Sequence, residues 1–175
     1  AFDHLEQAGK VRHFGVSNQN PMMVELLKTA VKQPLKVNQL QLSAAFTPSF
    51  EAGFHVNMEG PKAAVRDGSV FEYCRLTDTV IQAWSVLQHG FFKGNFVGKE
   101  EFAALNHVLN DLAKKYQVTP TAIALAWVLR YPGKMQAVVG TTNPQHVLEA
   151  GKAAEVTLTR KEWYQIYLAA GNDLP

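Results

Sequence analysis

Four short apolar segments, each separated from the next by a helical pattern, constrain the fold of this chain more than any other feature. They predict β-strands, because β-branched and aromatic residues run together in them or alternate with polar ones. The segments lie near residues 11–16, 37–43, 80–86 and 137–140. Strands that alternate with helices build right-handed β-α-β units and a parallel sheet. Two architectures satisfy the pattern: a doubly wound open sheet and half of a (β/α)8 barrel.

Helix starts are predicted where an N-cap residue precedes a proline, and where Ser or Thr stands three residues before Glu. The first pattern occurs at Asn20-Pro21, Thr119-Pro120 and Asn143-Pro144, and the capping-box spacing occurs at Ser69-x-x-Glu72 and Thr159-x-x-Glu162. Residues 44–66 show neither period and contain two prolines and two glycines, which predicts a long loop after the second strand. Because Phe46, Phe50 and other apolar residues occur in it, we expect this loop to fold over a ligand or over the rim of the protein.

Composition excludes several classes of protein. With 175 residues, 47% of them hydrophobic, the chain can bury one sizeable core, so we expect one domain. The net charge of +2, with scattered Lys and Arg, argues against a nucleic-acid partner. No run approaches the ~18 consecutive apolar residues of a membrane helix. Cys74 is the one cysteine, which predicts a buried thiol in a reducing cytoplasm, with no disulfide and no metal cluster.

The stretch 137–149 has the pattern of a strand that turns into a new helix. Gly140 lets the chain turn, Thr141 and Thr142 supply hydroxyl groups, and His146 stands one turn inside the helix. A helix N-terminus presents unpaired N–H groups and a positive dipole end, so the pattern suits a phosphate group. An ordinary strand–helix turn explains the same residues equally well.

Polar residues gather at the predicted carboxyl ends of the strands, where a barrel places its active site. These residues are Ser17, Asn18, Gln39, Trp84, Ser85 and Thr141. No Gly-x-Gly-x-x-Gly follows any predicted strand, which disfavours an open dinucleotide-binding sheet. The residues therefore favour half of a (β/α)8 barrel.

Four segments, in order, resemble the strand signatures of the aldo-keto reductases. GKVRHFGVSN at 9–18 resembles the fifth strand of that family, VNQ at 37–39 the sixth, AWSVL at 83–87 the seventh, and VGTTNPQHVLE at 139–149 the eighth with its helix. The likeness is closest to the bacterial, K⁺-channel-β-like branch. It implies that residues 1–175 are the C-terminal half of one parallel (β/α)8 TIM barrel, with strands five to eight, their helices and a terminal helix.

The resemblance implies an NADP-dependent oxidoreductase that reduces small aldehydes or ketones. Ser17, Asn18 and Gln39 would hydrogen-bond the nicotinamide carboxamide, and Trp84 would stack on the ring where the family usually has Tyr. Both assignments have a structural alternative: Asn38-Gln39 as a hydrogen-bonded pair inside the barrel, and Trp84 as a core residue.

The resemblance also assigns residues to the remaining parts of the cofactor. Ser85, Leu87, Gln88 and Lys93 would line the pyrophosphate. Gly140 would belong to the cofactor-binding turn, Thr141, Thr142 and His146 would meet the 2′-phosphate, and Glu149 would meet the edge of the adenine. Gly140, His146 and Ala150 stand where many members have Lys, Arg and Asn. Because histidine lacks the permanent charge and fork of arginine, we expect a weaker preference for NADPH over NADH than in the members that carry Arg.

The family's catalytic Asp, Tyr, Lys and His belong to its first four strands and are expected upstream of Ala1. Residues 1–9 have the pattern of the end of a helix, so the chain is interpreted as a fragment of a longer protein. We expect the fragment to be inactive alone, and to pair with another copy or with the missing half. Two rivals stay open: a non-enzymatic nucleotide-sensing module of the channel-β type, and another phosphate-binding barrel such as an aldolase or isomerase.

Overall fold

The structure, a computed structural model, describes residues 1–54, 69–90 and 93–174. Among these residues, four strands form one parallel sheet: β1 Phe14–Ser17, β2 Leu35–Gln41, β3 Val80–Trp84 and β4 Met135–Ala137. Their order across the sheet is β1-β2-β3-β4. The order never reverses, as it would at the switch point of a doubly wound sheet, so the winding is that of a barrel.

Eight α-helices accompany the sheet in the part of the chain that the structure describes. They are α1 Phe2–Gln7, α2 Pro21–Lys28, α3 Pro48–Phe54, α4 Val70–Leu76, α5 Ala103–Tyr116, α6 Pro120–Leu129, α7 Pro144–Gly151 and α8 Arg160–Ala169. Two 3₁₀ turns, Glu100–Phe102 and Lys152–Glu155, precede α5 and follow α7. None of these helices combines the length and the apolar character that a membrane crossing requires.

Most helix starts follow their local sequence. Asn20, Thr119 and Asn143 each accept a hydrogen bond from a first-turn N–H and precede a proline at the start of the helix. The capping box of Thr159 and Glu162 is also confirmed. The one predicted at Ser69 is wrong: its backbone has φ +62° and its side chain makes no capping bond. An N-cap requires extended backbone, which this left-handed conformation does not provide.

The fourth strand lies earlier than the predicted 137–140. Val138 and Val139 are 39% and 38% exposed rather than buried, and they lie beyond the end of β4. Val138 N donates a hydrogen bond to Ala83 O, and β3 ends at the next residue, Trp84. Beyond Val138 the segment therefore has no residues of β3 left to pair with. The run of apolar β-branched residues therefore predicts that a strand lies nearby, but it does not predict where the strand begins and ends.

The predicted loop 44–66 is not all loop, because it contains α3. Phe50 of α3 is 2% exposed, and its ring stacks on that of Tyr131 at 5.3 Å between centroids. This part of the segment packs into the main core, whereas the expected positions were over a ligand or over the rim of the protein. Residues 55–66 lie outside the described residues.

The main core fills the space between the outer face of the sheet and the helices. α6 is apolar all round and is buried from Ala122 to Val128. Trp127 of α6 stacks on Trp163 of α8 at 4.8 Å, and each indole N–H donates to the other residue's backbone carbonyl. Cys74 is buried in the same core, as predicted. The described helices pack on the outer face of the sheet, and among the described residues the inner face borders a cavity.

Candidate functional site

Strand alternation separates Asn38 from Gln39. Asn38 is 1% exposed and points outward, where its Nδ2 donates to the backbone oxygen of Gln19 at 2.7 Å. Gln39 lines a cavity of about 760 Å³ on the inner face. Asn38 therefore anchors the segment between β1 and α2, and only Gln39 is available to a ligand on the inner face.

A row of polar side chains crosses the inner face. Ser17, Gln39, Gln82 and Gln136 are in register on four neighbouring strands. Gln39 Nε2 donates to Gln82 Oε1 at 3.3 Å, and Gln82 Nε2 donates to Gln136 Oε1 at 2.9 Å. We name Gln39, Gln82 and Gln136 the glutamine row. Sequence reasoning missed Gln82 and Gln136, although both interrupt apolar strands at inward-facing positions.

Trp84 stands at the carboxyl end of β3 and joins the row to the loops above it. Its indole Nε1 donates to Asn18 Oδ1 at 3.3 Å, while Asn18 N donates to Gln39 O at 2.9 Å. Asn18 and Ser85, which follow β1 and β3, both adopt left-handed backbone, with φ +53° and +52°. Such strained residues persist where the surroundings require them, and they concentrate at functional sites.

A second cavity, of about 590 Å³, lies between the carboxyl ends of β3 and β4. Predicted cofactor residues line it from both sides: Trp84, Ser85, Leu87 and Gln88 from the end of β3, and Gly140, Thr141, His146 and Glu149 from the β4–α7 segment. Trp84 also belongs to the inner face that carries Gln39, two residues above Gln82 on the same strand. Trp84 thus faces the same side of the sheet as Gln39 and lines the same cavity as Thr141.

The start of α7 forms the polar wall of this cavity. Asn143 caps the helix by accepting from Gln145 N at 2.9 Å, and its own N–H donates to Thr141 Oγ1 at 3.2 Å. His146 Nδ1 lies 3.5 Å from the same hydroxyl. No Lys or Arg is among the described residues that line the cavity. Any anion held here would rely on the helix N-terminus, the hydroxyl groups and His146.

Two buried amides near the cavity have an atom without a hydrogen-bond partner among the described residues: Nε2 of Gln41 and Oε1 of Gln88. Gln41 is 8% exposed and is the cross-strand neighbour of Trp84, and Gln88 lines the cavity itself. Both atoms are closed to solvent as well as unpaired within the described residues, which is a costly arrangement.

Asn18, Lys93 and Thr142 are predicted residues that line neither of the two cavities described above. All three are exposed. The stem of Lys93 packs against Gly90, where an added Cβ would lie 2.9 Å from Lys93 Cδ.

Two Tyr–Lys–Glu groups occur among the described residues, and neither lines these cavities. Tyr73 contacts Glu25 and accepts from Lys28 Nζ at 2.8 Å, on the outer surface between α2 and α4. In the second group, Tyr116 donates to Glu162 at 2.8 Å between α5 and α8. Burial and the neighbouring carboxylate raise the pKa of Tyr116, which is unfavourable for a general acid. The cavity beside Trp84 therefore has no proton donor of this kind within the described residues.

Comparison with known proteins identifies the family to which the chain belongs. A family model described as "Aldo/keto reductase family" matches residues 1–169. The 6-dehydroglucose reductase of Agrobacterium fabrum is 34% identical over 99% of this chain and 52% of its own length. The oxidoreductase YdhF of Escherichia coli is 30% identical over 100% of this chain and 53% of its own length. The chain thus spans about half the length of the curated relatives it matches.

Solved structures show the same fold. An aldo-keto reductase of Bombyx mori in complex with NADP superposes with a TM-score of 0.67 at 17% identity, over 96% of this chain and 48% of its own. An aldose reductase of Giardia lamblia gives 0.66 at 20% identity, over 95% of this chain and 47% of its own. These proteins are (β/α)8 barrels, so the predicted fold class, half of such a barrel, is confirmed.

Proposed function

Because the chain belongs to the aldo/keto reductase family, we propose that it supplies the cofactor-binding half of an NADP-dependent carbonyl reductase. The observation that carries the proposal is the cavity between β3 and β4, since most of the predicted cofactor residues line it from two separate segments. The substrate would be a small aldehyde or ketone. The bound nicotinamide would supply the hydride.

The chain's own residues would orient the cofactor. The indole of Trp84 offers a flat apolar face to the nicotinamide, and Ser17, Asn18 and Gln39 offer hydroxyl and amide groups to its carboxamide. Trp84, Asn18 and Gln39 are already linked by hydrogen bonds through Asn18, which supports one shared binding surface. Holding the ring in one orientation would aim one hydride at the substrate.

The phosphates would lie against the loops. Ser85, Leu87, Gln88 and Lys93 would follow the pyrophosphate. Thr141, Thr142 and His146 would meet the 2′-phosphate at the start of α7, with Gly140 in the turn before them, and Glu149 would meet the adenine. The cavity has no permanent cation among its described lining residues, which supports a weaker preference for NADP over NAD than in members that carry Arg, with NAD as a second cofactor.

The catalytic acid would come from the part of the barrel that this chain does not contain. Two observations support this: the absence of a Tyr–Lys–Glu group from the described lining of the cavity, and the coverage of about half of each relative. Alone, the chain would bind nucleotide without reducing a carbonyl. The buried, single Cys74 is in keeping with a reducing cytoplasmic location.

We also propose that the chain pairs with a second half-barrel, either the missing half or another copy. In the described sheet, β1 and β4 each have a strand on one side only. Exposed apolar side chains flank both edges: Met22 and Leu26 on α2, which follows β1, and Val147 and Leu148 on α7, which follows β4. Open strand edges and apolar patches of this kind favour association.

The first experiment measures binding of NADPH to the purified chain through tryptophan fluorescence. Trp127 and Trp163 are buried in the helical core, so quenching is expected to come from Trp84 and to disappear in Trp84→Leu. Trp127→Phe serves as the control that retains the response. Absence of NADPH binding to the unaltered chain would overturn the proposal.

The second experiment restores the rest of a barrel. We expect that the chain, co-expressed with the part of the Agrobacterium fabrum reductase that it does not match, associates with that part and reduces an aldehyde with NADPH. Neither part alone is expected to do so. NADPH binding without turnover in the associated pair would instead favour a nucleotide-sensing module. A monomer in light scattering at micromolar concentration, with or without the other part, would refute the pairing.

A further inference from the structure

Two hydrogen bonds determine which atoms of Asn18 and Gln39 stay open. Asn18 Oδ1 accepts from the indole of Trp84 at 3.3 Å, so its Nδ2 is left as a donor. Gln39 Nε2 donates to Gln82 Oε1 at 3.3 Å, so its Oε1 is left as an acceptor. Within the described part of the chain, no hydrogen bond uses Asn18 Nδ2 or Gln39 Oε1. The two amides therefore present opposite polarity.

Neither side-chain amide can rotate freely by 180°, which would exchange the positions of its oxygen and nitrogen. The indole N–H is only a donor, so turning the amide of Asn18 would set two donors against each other. Turning Gln39 alone would set its Oε1 against Gln82 Oε1, and Gln82 is itself held by its bond to Gln136 Oε1 at 2.9 Å. A change of polarity at Gln39 thus requires the whole glutamine row to turn together.

We propose that Gln82 and Trp84 are positioning residues that make the site selective for a primary carboxamide on the cofactor ring. A carboxamide matches the open pair, because its oxygen accepts from Asn18 Nδ2 and its NH₂ donates to Gln39 Oε1. An acetyl group in its place has no donor, and a carboxylate would bring a second acceptor against Gln39 Oε1. Sites built for a hydrogen-bonding group reject analogues that lack it, because their own polar atoms are left unpaired. This inference rests on the proposed function.

The test compares NADPH with its reduced 3-acetylpyridine analogue, which carries a methyl ketone in place of the carboxamide. Equilibrium binding of both to the purified chain gives a ratio of Kd values, and this ratio removes effects common to the two ligands. We expect the chain to bind NADPH about tenfold more tightly than the analogue. Gln82→Met keeps the length of the side chain but releases Gln39, so the ratio is expected to fall to about threefold or less.

Gln82→Glu is the matched control. Its carboxylate can only accept from Gln39 Nε2, which holds Gln39 Oε1 outward, so the ratio is expected to stay at the value of the unaltered chain. Trp84→Phe removes the indole donor and frees the amide of Asn18, and it is expected to lower the ratio as Gln82→Met does. Gln136→Met changes only the exposed end of the row and is expected to lower the ratio less.

The outcomes separate this inference from the proposed function. If NADPH does not bind the unaltered chain, both are overturned. If NADPH binds but the ratio is the same in the unaltered chain, Gln82→Met and Trp84→Phe, only the inference on Gln82 and Trp84 is overturned. A ratio that falls equally in Gln82→Met and Gln82→Glu would overturn it as well, because the change would then follow loss of the glutamine and not loss of the acceptor.

Discussion

Glu162 joins α8 to α5, and its ionisation is expected to make the stability of the protein depend on pH. Its side chain is 9% exposed. One carboxylate oxygen accepts from Lys115 Nζ at 2.5 Å, and the other accepts from Tyr116 Oη at 2.8 Å and from the N–H and hydroxyl of Thr159, both at 2.7 Å. Burial by itself would raise the pKa of this carboxyl, but the donors outweigh burial and lower it from 4.5 to about 2.

The magnitude follows from the difference in proton affinity between the folded and unfolded states. A pKa of about 2 when folded, against 4.5 when unfolded, corresponds to on the order of 3 kcal/mol of folding free energy. Because the folded pKa is the lower one, it is the ionised carboxylate that stabilises the fold. The full contribution is therefore present above about pH 4.5, and it is lost as the pH falls towards 2.

Urea unfolding of the chain and of Glu162→Gln at pH 6 and at pH 2.5 measures this contribution. At pH 6 the variant is expected to be less stable by on the order of 3 kcal/mol, because the donors around residue 162 lose their charged acceptor. At pH 2.5 the difference is expected to shrink to about 1 kcal/mol or less. Asp111→Asn removes an exposed carboxylate from α5, and its effect is expected to stay below about 1 kcal/mol at both values of pH. A deficit in Glu162→Gln that is equal at pH 6 and pH 2.5 would refute this account of Glu162.

Three further predictions concern the cofactor turn, the cavity wall and the sheet. His146→Arg is expected to raise the preference for NADPH over NADH about tenfold, because arginine carries a permanent charge and a fork that matches a phosphate group. An unchanged preference would remove residue 146 from the 2′-phosphate site. Asn106 donates to the carbonyls of Phe96, Lys99 and Phe102 and accepts from Gly98 N. Asn106→Leu is therefore expected to lower the free energy of unfolding by about 3 kcal/mol and to speed hydrogen exchange at Gly98, and an unchanged exchange rate would contradict this role. At Gly15 an added Cβ would lie 2.7 Å from Val37 Cβ and Val37 O, whereas at Gly140 nothing lies within 4 Å. Gly15→Ala is expected to lower the free energy of unfolding, measured in urea, by about 2 kcal/mol, and Gly140→Ala is expected to leave it almost unchanged. Equal losses in the two variants would show that the close approach of β1 to β2 does not constrain residue 15.

Helix starts could be predicted from the sequence because their interactions are local. Asn20, Thr119 and Asn143 cap groups two or three residues away, so their own neighbours determine the outcome. Ser69 failed because its backbone conformation is not determined by the Ser-x-x-Glu spacing. The bounds of β4 failed for a similar reason, since a strand extends only as far as its neighbour does.

The residues of the candidate site also differ in whether the sequence could predict them. Trp84, Ser85, Gly140 and Thr141 stand in short segments with a recognisable pattern, and the structure brings them to one cavity. The glutamine row has no such pattern, because its members are separated by 43 and 54 residues and meet only through strand register. Predicting it would require knowing both the order of the strands and which residue faces which.

The inner face of the sheet is layered, and this layering argues that the glutamine row has a function. Below the row lie Gly15, Val37 and Val80, and above it Gln41 stands beside Trp84. Barrel interiors are usually filled with branched apolar side chains, which need no partners, whereas a row of amides is stable only if each has one. The glutamines therefore occupy a level where an apolar layer would serve packing better, directly beneath the level of Trp84. A row kept there despite its need for partners supports the proposal that it orients the amide of Gln39.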